Sequence, residues 1–531
     1  MSGALDSSGN RGGSFAVRPG LLVLAIAASV IGGFGPGRAH AAACCVPFGA
    51  LADSVSFLGA TAAARSHFGI LAVSLDRGDT LLGLNPDARF IPASNMKLFV
   101  TGAFLRQFGT QARGVTEVRA AGKLKKKHGG RELEMKGDLI LAGSGYPDVV
   151  QLLRPGSRGL LDSLAYLLRE SGLRKFEGTL WVDGTLFAPE PYGPGWAIDD
   201  MAFSYGAPLN AILANGNGAT VVATATDKGV TLALDPPETP LTLTGRLALA
   251  DSNVSPSITV SREPGSHVLR VGGRVPRGGI AKRQVAVPDP DSTAGLVLLG
   301  AMGRAGIEVH ARVAVVPPGG SLLAPGGSGQ ARTTILARLL SPQASDVVAM
   351  VDAYSLNAET EALLRLLDPA PTGKTGAQAL RRLTAMLADA GVDTLDVSFV
   401  DGSGLSPLNL ATARSFVTWL QTLARDPALG SVFRESLAAP GAVGTLQKRF
   451  QDLGPNALLR SKTGTLTNVS ALSGYVMAAG GERVAFSILS NGNRGSVAAA
   501  RAAEEAIVGI LSRFTRESRI PEGPSFRMVP R

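Results

Sequence analysis

The chain changes texture twice along its length. Before about residue 120 and after about residue 328, apolar side chains recur at helical spacing. Between those points the sequence is rich in glycine and carries short alternating runs such as Leu139-Ile140-Leu141, GTLWVDG and GVTLALD. Alternation with a period of two marks half-buried strands, and spacings of three and four mark an amphipathic helix. A pattern that starts, stops and resumes predicts one α+β domain split in the chain by a β-rich insert of about 200 residues. The expected parts are 55–119, then the insert at 120–328, then 329–514, with a polar tail at 515–531.

Within this frame the elements are readable. FGILAVSL and TLLGL, separated by Asp76-Arg77-Gly78-Asp79, predict two strands and a turn. Pro92 to Phe108 predicts a helix, with Met96, Phe99, Val100 and Phe104 on one face. The insert has helix signals at Leu160 to Ser171, stopped by Gly172, and at Thr293 to Arg304. Beyond Ala331, ILARLL, Asp346 to Leu367, Ala377 to Ala390, Thr412 to Arg425 and Ser496 to Phe514 predict helices. DTLDVSFV, ALLRSKTGT, VSALSGYVM and RVAFSILS predict strands.

Composition narrows the chemistry. With 45% hydrophobic and 18% charged residues the chain can bury a large core, which excludes a disordered polymer. Its two cysteines, Cys44 and Cys45, are adjacent, and its five histidines are isolated, so neither a disulfide framework nor a metal-ligand spacing exists. No cofactor or metal is expected.

The N-terminus reads as an export signal. Arg11 and Arg18 precede an apolar run of 14 residues from Leu21 to Phe34, followed by Gly35-Pro36-Gly37 and the A-x-A site Ala39-His40-Ala41. That run is too short to span a bilayer, so residues 1–41 are expected to be a cleaved signal peptide and the protein periplasmic. A retained N-terminal anchor and lipidation at Cys44 are the alternatives. Export argues against a nucleic-acid partner despite the net charge of +10. The cluster Lys123, Lys125, Lys126 and Lys127 before His128-Gly129-Gly130 has two readings: weak contact with an anionic membrane surface or glycan, or a solvated hairpin.

Three short motifs carry chemistry. Ser94-Asn95-Met96-Lys97 puts a hydroxyl and an amine one helical turn apart. A serine needs a base to become a nucleophile, and a lysine whose pKa is lowered by burial can serve. Ser355-Leu356-Asn357 can project a hydroxyl and an amide into one cleft if the backbone between them is a loop; an N-cap serine is the bland alternative. Lys462-Thr463-Gly464 on a strand offers a cation and a hydroxyl to a carboxylate, with Gly464 permitting close backbone approach. Lys374-Thr375-Gly376 repeats the triplet but follows the loop Asp368-Pro369-Ala370-Pro371 and leads into a helix, and Asp368 stands where a phosphate loop needs glycine.

The ordered set S-x-x-K, S-x-N, K-T-G resembles the active-site signature of penicillin-binding proteins and serine β-lactamases. The stretches PASNMKL, DGSGLS, KTGTLTNVSALSGYV and GPGW…DDM…YGAP are similar to the class C low-molecular-mass penicillin-binding proteins, the D-alanyl-D-alanine carboxypeptidase/endopeptidase group of peptidase family S13. The likeness runs from about residue 65 to 512. It implies a penicillin-binding/β-lactamase-like transpeptidase domain, an antiparallel sheet flanked by helices, made of 55–119 and 329–514 and interrupted by the insert. By the same resemblance Ser94 is the acylated nucleophile and Lys97 its base. Ser355 relays a proton and Asn357 orients Lys97 and the substrate. Lys462 and Thr463 hold the carboxylate, with Gly464 beside them in the substrate-binding set, and the N–H groups of Ser94 and Thr465 form the oxyanion hole.

Asp200 is implied to meet the amino end of the stem peptide's diamino acid, a solvated turn carboxylate being its plain alternative. The implied partners are peptidoglycan stem peptides, with β-lactams as inhibitors. A serine β-lactamase and a non-catalytic envelope-binding protein are the other functions such a chain could have. One departure is Pro407, where some relatives carry arginine after DGSGLS.

Overall fold

Strands from the two ends of the chain meet in one sheet. The computed structural model describes residues 46–47, 66–320, 322, 333–493 and 497–516, so the expected signal segment and most of the tail lie outside the described residues. The sheet has five strands in the order Arg460–Leu466, Val469–Met477, Arg483–Asn491, His67–Ser74 and Thr80–Leu84, all antiparallel. His67–Ser74 pairs with Arg483–Asn491 in a register that sets Ile70 opposite Ile488. Val469–Met477 is buried at every position but the last, as expected of a strand covered on both faces.

Helices supply the two covers. On one face Phe99 of Lys97–Phe108 packs with Phe416 and Trp419 of Ala413–Arg425, over Ala471, Ala485 and Leu489. Phe99 and Phe416 stack with centroids 4.5 Å apart. On the other face Ile507, Val508 and Leu511 of Ala498–Arg513 meet Leu472, Phe486 and Ile488. Each side chain buried this fully contributes about 1.5–3 kcal/mol. Ala413–Arg425 begins where the sequence predicts because Thr412 and Ser415 exchange side chain-to-backbone hydrogen bonds, a reciprocal N-terminal cap.

The insert is folded around two cores of its own. Its larger sheet has five strands in the order Glu308–Val315, Leu173–Asp183, Glu132–Ala142, Val115–Lys127 and Thr334–Leu340. Leu164 and Leu168 of Leu160–Glu170 and Leu298 and Met302 of Pro290–Arg304 share its apolar cluster. The smaller core lies among strands between Gly218 and Ala286, with Val221, Leu269 and Val285 at its centre. The lysine cluster forms the outer end of the hairpin Val115–Lys127 and Glu132–Ala142, where Lys127 pairs with Glu134 and Lys136 with Glu177.

Three expectations change. ILARLL is not helical: Thr334–Leu340 is a strand antiparallel to Val115–Lys127. A six-residue apolar run has no period long enough to separate strand from buried helix. Strand pairing joins Thr334–Leu340 and Val115–Lys127 to the larger sheet of the insert. Asp346 to Leu367 is two helices, Ala344–Tyr354 and Asn357–Leu366, broken at Ser355. DTLDVSFV forms a short helical turn, Thr394–Asp396, and only a two-residue strand, Val397–Ser398.

Candidate active site

Ser94 sits in a tight turn, Ala93–Met96, that runs directly into the helix Lys97–Phe108. Ala93, immediately before it, has φ 47°. This left-handed backbone is backed by Gly404, where an added Cβ would stand 1.9 Å from the Ala93 carbonyl oxygen. Only glycine permits that approach. Gly464 does the same from the edge strand, since a Cβ there would lie 2.8 Å from Pro92 O and 3.1 Å from Ser94 N. The nucleophile turn is thus held between the last glycine of DGSG and the glycine of KTG.

Lys97 is fully buried. Its Nζ lies 3.1 Å from Ser94 Oγ, 2.6 Å from Asn357 Oδ1 and 2.5 Å from Ser403 O. A neutral amine has two hydrogens and one lone pair. Asn357 Oδ1 and the Ser403 carbonyl are acceptors, so in the neutral form they take the two hydrogens and the lone pair faces the Ser94 hydroxyl; the ammonium donates to Ser94 Oγ instead. Burial pushes the Lys97 amine down to about 8, against Asp401, Glu361, Asp352 and Glu359, whose negative charge favours the ammonium.

Ser355 reaches the same place because the chain turns left-handed there, with φ 61° and ψ 47°. Leu356 is extended and Asn357 opens the next helix. Ser355 Oγ accepts a hydrogen bond from Lys462 Nζ at 2.8 Å, and Lys462 also donates to Thr463 O at 2.9 Å. Lys462 is fully buried, and burial, followed by the nearby Lys97, holds its amine well below the ordinary lysine value. Asp352, buried on the helix before Ser355, faces both lysines and accepts from Thr101 and Ser436. Desolvation raises its carboxyl, and Lys462 opposes that rise.

The outer edge of Arg460–Leu466 faces the cleft. Ser461 N–H donates to Ala438 O, on the side away from the neighbouring strand. Alternation along a strand then aims the Thr463 and Thr465 N–H groups at the same open edge. Ser94, Asp200, Tyr205, Ser355, Asn357, Gly404 and Thr465 line one cleft of about 710 Å³. Asp200 is therefore a wall residue; its Oδ1 accepts from the Tyr205 hydroxyl at 2.9 Å. The second KTG is elsewhere: the Lys374 ammonium is held by the carbonyls of Asp368 and Ala370, and Thr375 caps the helix Gly376–Asp389.

Several residues that build the site have no reactive group to betray them. Asp401 accepts from Gly404 N (2.8 Å), Ser406 N (2.7 Å), Asn409 Nδ2 (2.6 Å) and Trp196 Nε1 (2.9 Å), which folds the DGSGLS loop so that the Ser403 carbonyl meets Lys97. Glu361 accepts from Gly402 N and Ser403 N on the loop's other side. Tyr205 contributes its carbonyl, which accepts from Asn357 Nδ2 at 2.8 Å and so turns Oδ1 toward the lysine. An aspartate followed by Gly-Ser-Gly signals a turn in the sequence, but not which base that turn serves.

The model of the D-Ala-D-Ala carboxypeptidase 3 (S13) family matches residues 54–514. The chain belongs to the S13 family. It is 29% identical over 477 residues to the D-alanyl-D-alanine carboxypeptidase of Actinomadura sp. (strain R39), covering 87% of this chain and 84% of that protein. It is 25% identical over 444 residues to D-alanyl-D-alanine carboxypeptidase DacB of Haemophilus influenzae, covering 80% of this chain and 86% of that protein. The crystal structure of penicillin binding protein 4 (dacB) from Haemophilus influenzae superposes with a TM-score of 0.70 at 23% identity, over 87% of this chain and 99% of that one. A second structure of that protein, complexed with a β-lactam, gives 0.65 at 22% identity. The split α+β fold and the S13 hydrolase class expected from the motifs are those of the chain.

Proposed function

We propose that this S13 enzyme hydrolyses the bond between the two C-terminal D-alanines of peptidoglycan stem peptides, and the D-alanyl cross-link between stems, through an acyl-enzyme on Ser94. The observation that carries this reading is the buried Lys97 amine, its Nζ 3.1 Å from Ser94 Oγ and its other two partners, Asn357 Oδ1 and Ser403 O, both acceptors. Lys97 accepts the Ser94 proton as Oγ attacks the carbonyl carbon of the penultimate D-alanine. The negative oxygen that forms is held by the N–H groups of Ser94 and Thr465, each worth about 3 kcal/mol of barrier. Ser355 relays that proton from Lys97 to the departing amine, giving up its own hydrogen as it receives the one Lys97 took, while Lys462, 2.8 Å from Ser355 Oγ, orients the hydroxyl. Water then attacks the ester; Lys97, neutral again, takes the water's proton and returns it to Ser94 Oγ as the shortened stem leaves.

A β-lactam presents a strained amide and a carboxylate in a similar arrangement, and acylates the same oxygen. Asp200 lines the cleft wall, which supports assigning it to the amine of the stem's diamino acid. The apolar run Leu21 to Phe34 and the A-x-A site support export and removal of residues 1–41, which puts the enzyme where its substrate is.

Intact-mass spectrometry after exposure to benzylpenicillin tests this reading. The protein gains one penicilloyl group and Ser94→Ala gains none. A wild-type chain that stays unmodified and releases no D-alanine from a D-alanyl-D-alanine peptide would refute it.

A further inference from the structure

The carboxylate at the end of the substrate has to be met by positive charge, and the two lysines of the site are poorly suited to provide it. Both are fully buried. Lys97 is spent on Ser94, Asn357 and Ser403, and Lys462 on Ser355 and its own strand. Asp352 lies beside both and offsets their charge.

A third cation stands on the open side. Arg501 is exposed, in the first turn of the helix Ala498–Arg513, and its Nη2 donates to Thr465 Oγ1 at 3.1 Å. Thr465 lines the cleft with Ser94. The two acids next along that helix are both hydrogen-bonded by Arg449, although the Arg501 charge also acts on Glu504. Glu504 Oε2 accepts from Arg449 at 2.9 Å and Glu505 Oε1 from the same guanidinium at 2.7 Å. Arg449 also donates to the Arg501 carbonyl, which fixes the helix turn that presents the side chain.

We infer that Arg501 and the Thr465 hydroxyl form the subsite for the carboxylate next to the scissile bond, and that Arg501 makes the enzyme select a free carboxylate over a neutral chain end. This inference rests on the acyl-enzyme reading above. With the scissile oxygen at the Thr465 N–H, the carboxylate of the departing residue lies one residue, about 3.5 Å, further along. That brings it to the hydroxyl of the same threonine. By accepting from Arg501, the hydroxyl keeps its own proton free to donate to the carboxylate. A guanidinium is a permanent cation whose planar fork matches a carboxylate, and its charge here does not come and go with the proton that Lys97 carries. A D-alanyl cross-link to the D-centre of a diamino acid also leaves a carboxylate beside the scissile bond, so the same subsite serves both cleavages.

The test compares D-alanine release from diacetyl-L-lysyl-D-alanyl-D-alanine with release of D-alaninamide from its C-terminal carboxamide. Arg501→Ala is expected to lower kcat/KM on the carboxylate by about 10- to 100-fold and to leave the carboxamide unchanged, collapsing the preference by the same factor. Arg501→Lys restores part of it, and Arg501→Gln does not. Acylation by benzylpenicillin falls in parallel, whereas acylation by benzylpenicillin methyl ester does not. If Arg501→Ala keeps the wild-type preference while remaining active, this inference is overturned alone. A wild-type enzyme that releases nothing overturns the acyl-enzyme reading and this inference with it.

Discussion

Lys97 can act as a base only while it lacks its third proton. Burial sets its value at about 8, so the ammonium predominates below that pH and its lone pair is occupied. Acylation by benzylpenicillin is therefore expected to rise about tenfold per pH unit up to about pH 8 and then level off. Stopped-flow or mass-spectrometric rates from about pH 6 to about pH 10 check this; a profile flat across pH 8 contradicts the assignment. Lys97→Ala should lose about 10²- to 10⁴-fold in acylation rate. At this scale the sequence was informative because chemistry chooses residue types. Ser94 and Lys97 announce themselves by spacing, and the structure puts their polar atoms in contact. The groups that tune Lys97 were silent. The Ser403 and Tyr205 carbonyls belong to backbone every residue has, and Asp352 and Glu361 matter only through burial that no short motif encodes.

At the scale of elements, the break at Ser355 decides whether there is a site at all. The apolar period through Val347, Val348, Val351, Ala358, Ala362 and Leu363 persists across it, since all six side chains share one core. Periodicity therefore predicted an unbroken helix, which a single left-handed residue interrupts. Holding a non-glycine residue in that conformation costs about 1–2 kcal/mol. Ser355→Gly is thus expected to be more stable than Ser355→Ala by about 1 kcal/mol in urea unfolding, although both lack the hydroxyl that Lys462 orients and both are defective in D-alanine release. Equal stabilities would mean that the turn is not strained. Thr334–Leu340 was misread for the opposite reason. Its partner strand lies at Val115–Lys127, and pairing over such a separation leaves no local trace.

Across the whole molecule, the insert and the split domain are joined at the catalytic cleft. Trp196 Nε1 donates to Asp401, and Asn357 donates to the Tyr205 carbonyl, both ties reaching from the segment before the smaller insert core to the machinery around Lys97. Trp196→Phe removes one of the donors to a fully buried carboxylate. It is expected to cost about 1–3 kcal/mol of stability and to slow acylation several-fold. Thermal unfolding and penicillin-labelling rates measure the two effects, and a variant indistinguishable from wild type in both would show the tie to be incidental. The split arrangement itself was legible, because two textures in one chain require two kinds of layer. The ties were not, since they run through an indole and a carbonyl in a stretch without regular structure.

The Tyr205 carbonyl has a practical corollary for anyone recombining these enzymes. Transplanting a foreign insert at its obvious chain junctions would exchange the very backbone oxygen that steers the amide beside the base. A working chimera must keep at least the stretch from Trp196 to Tyr205 with the host scaffold.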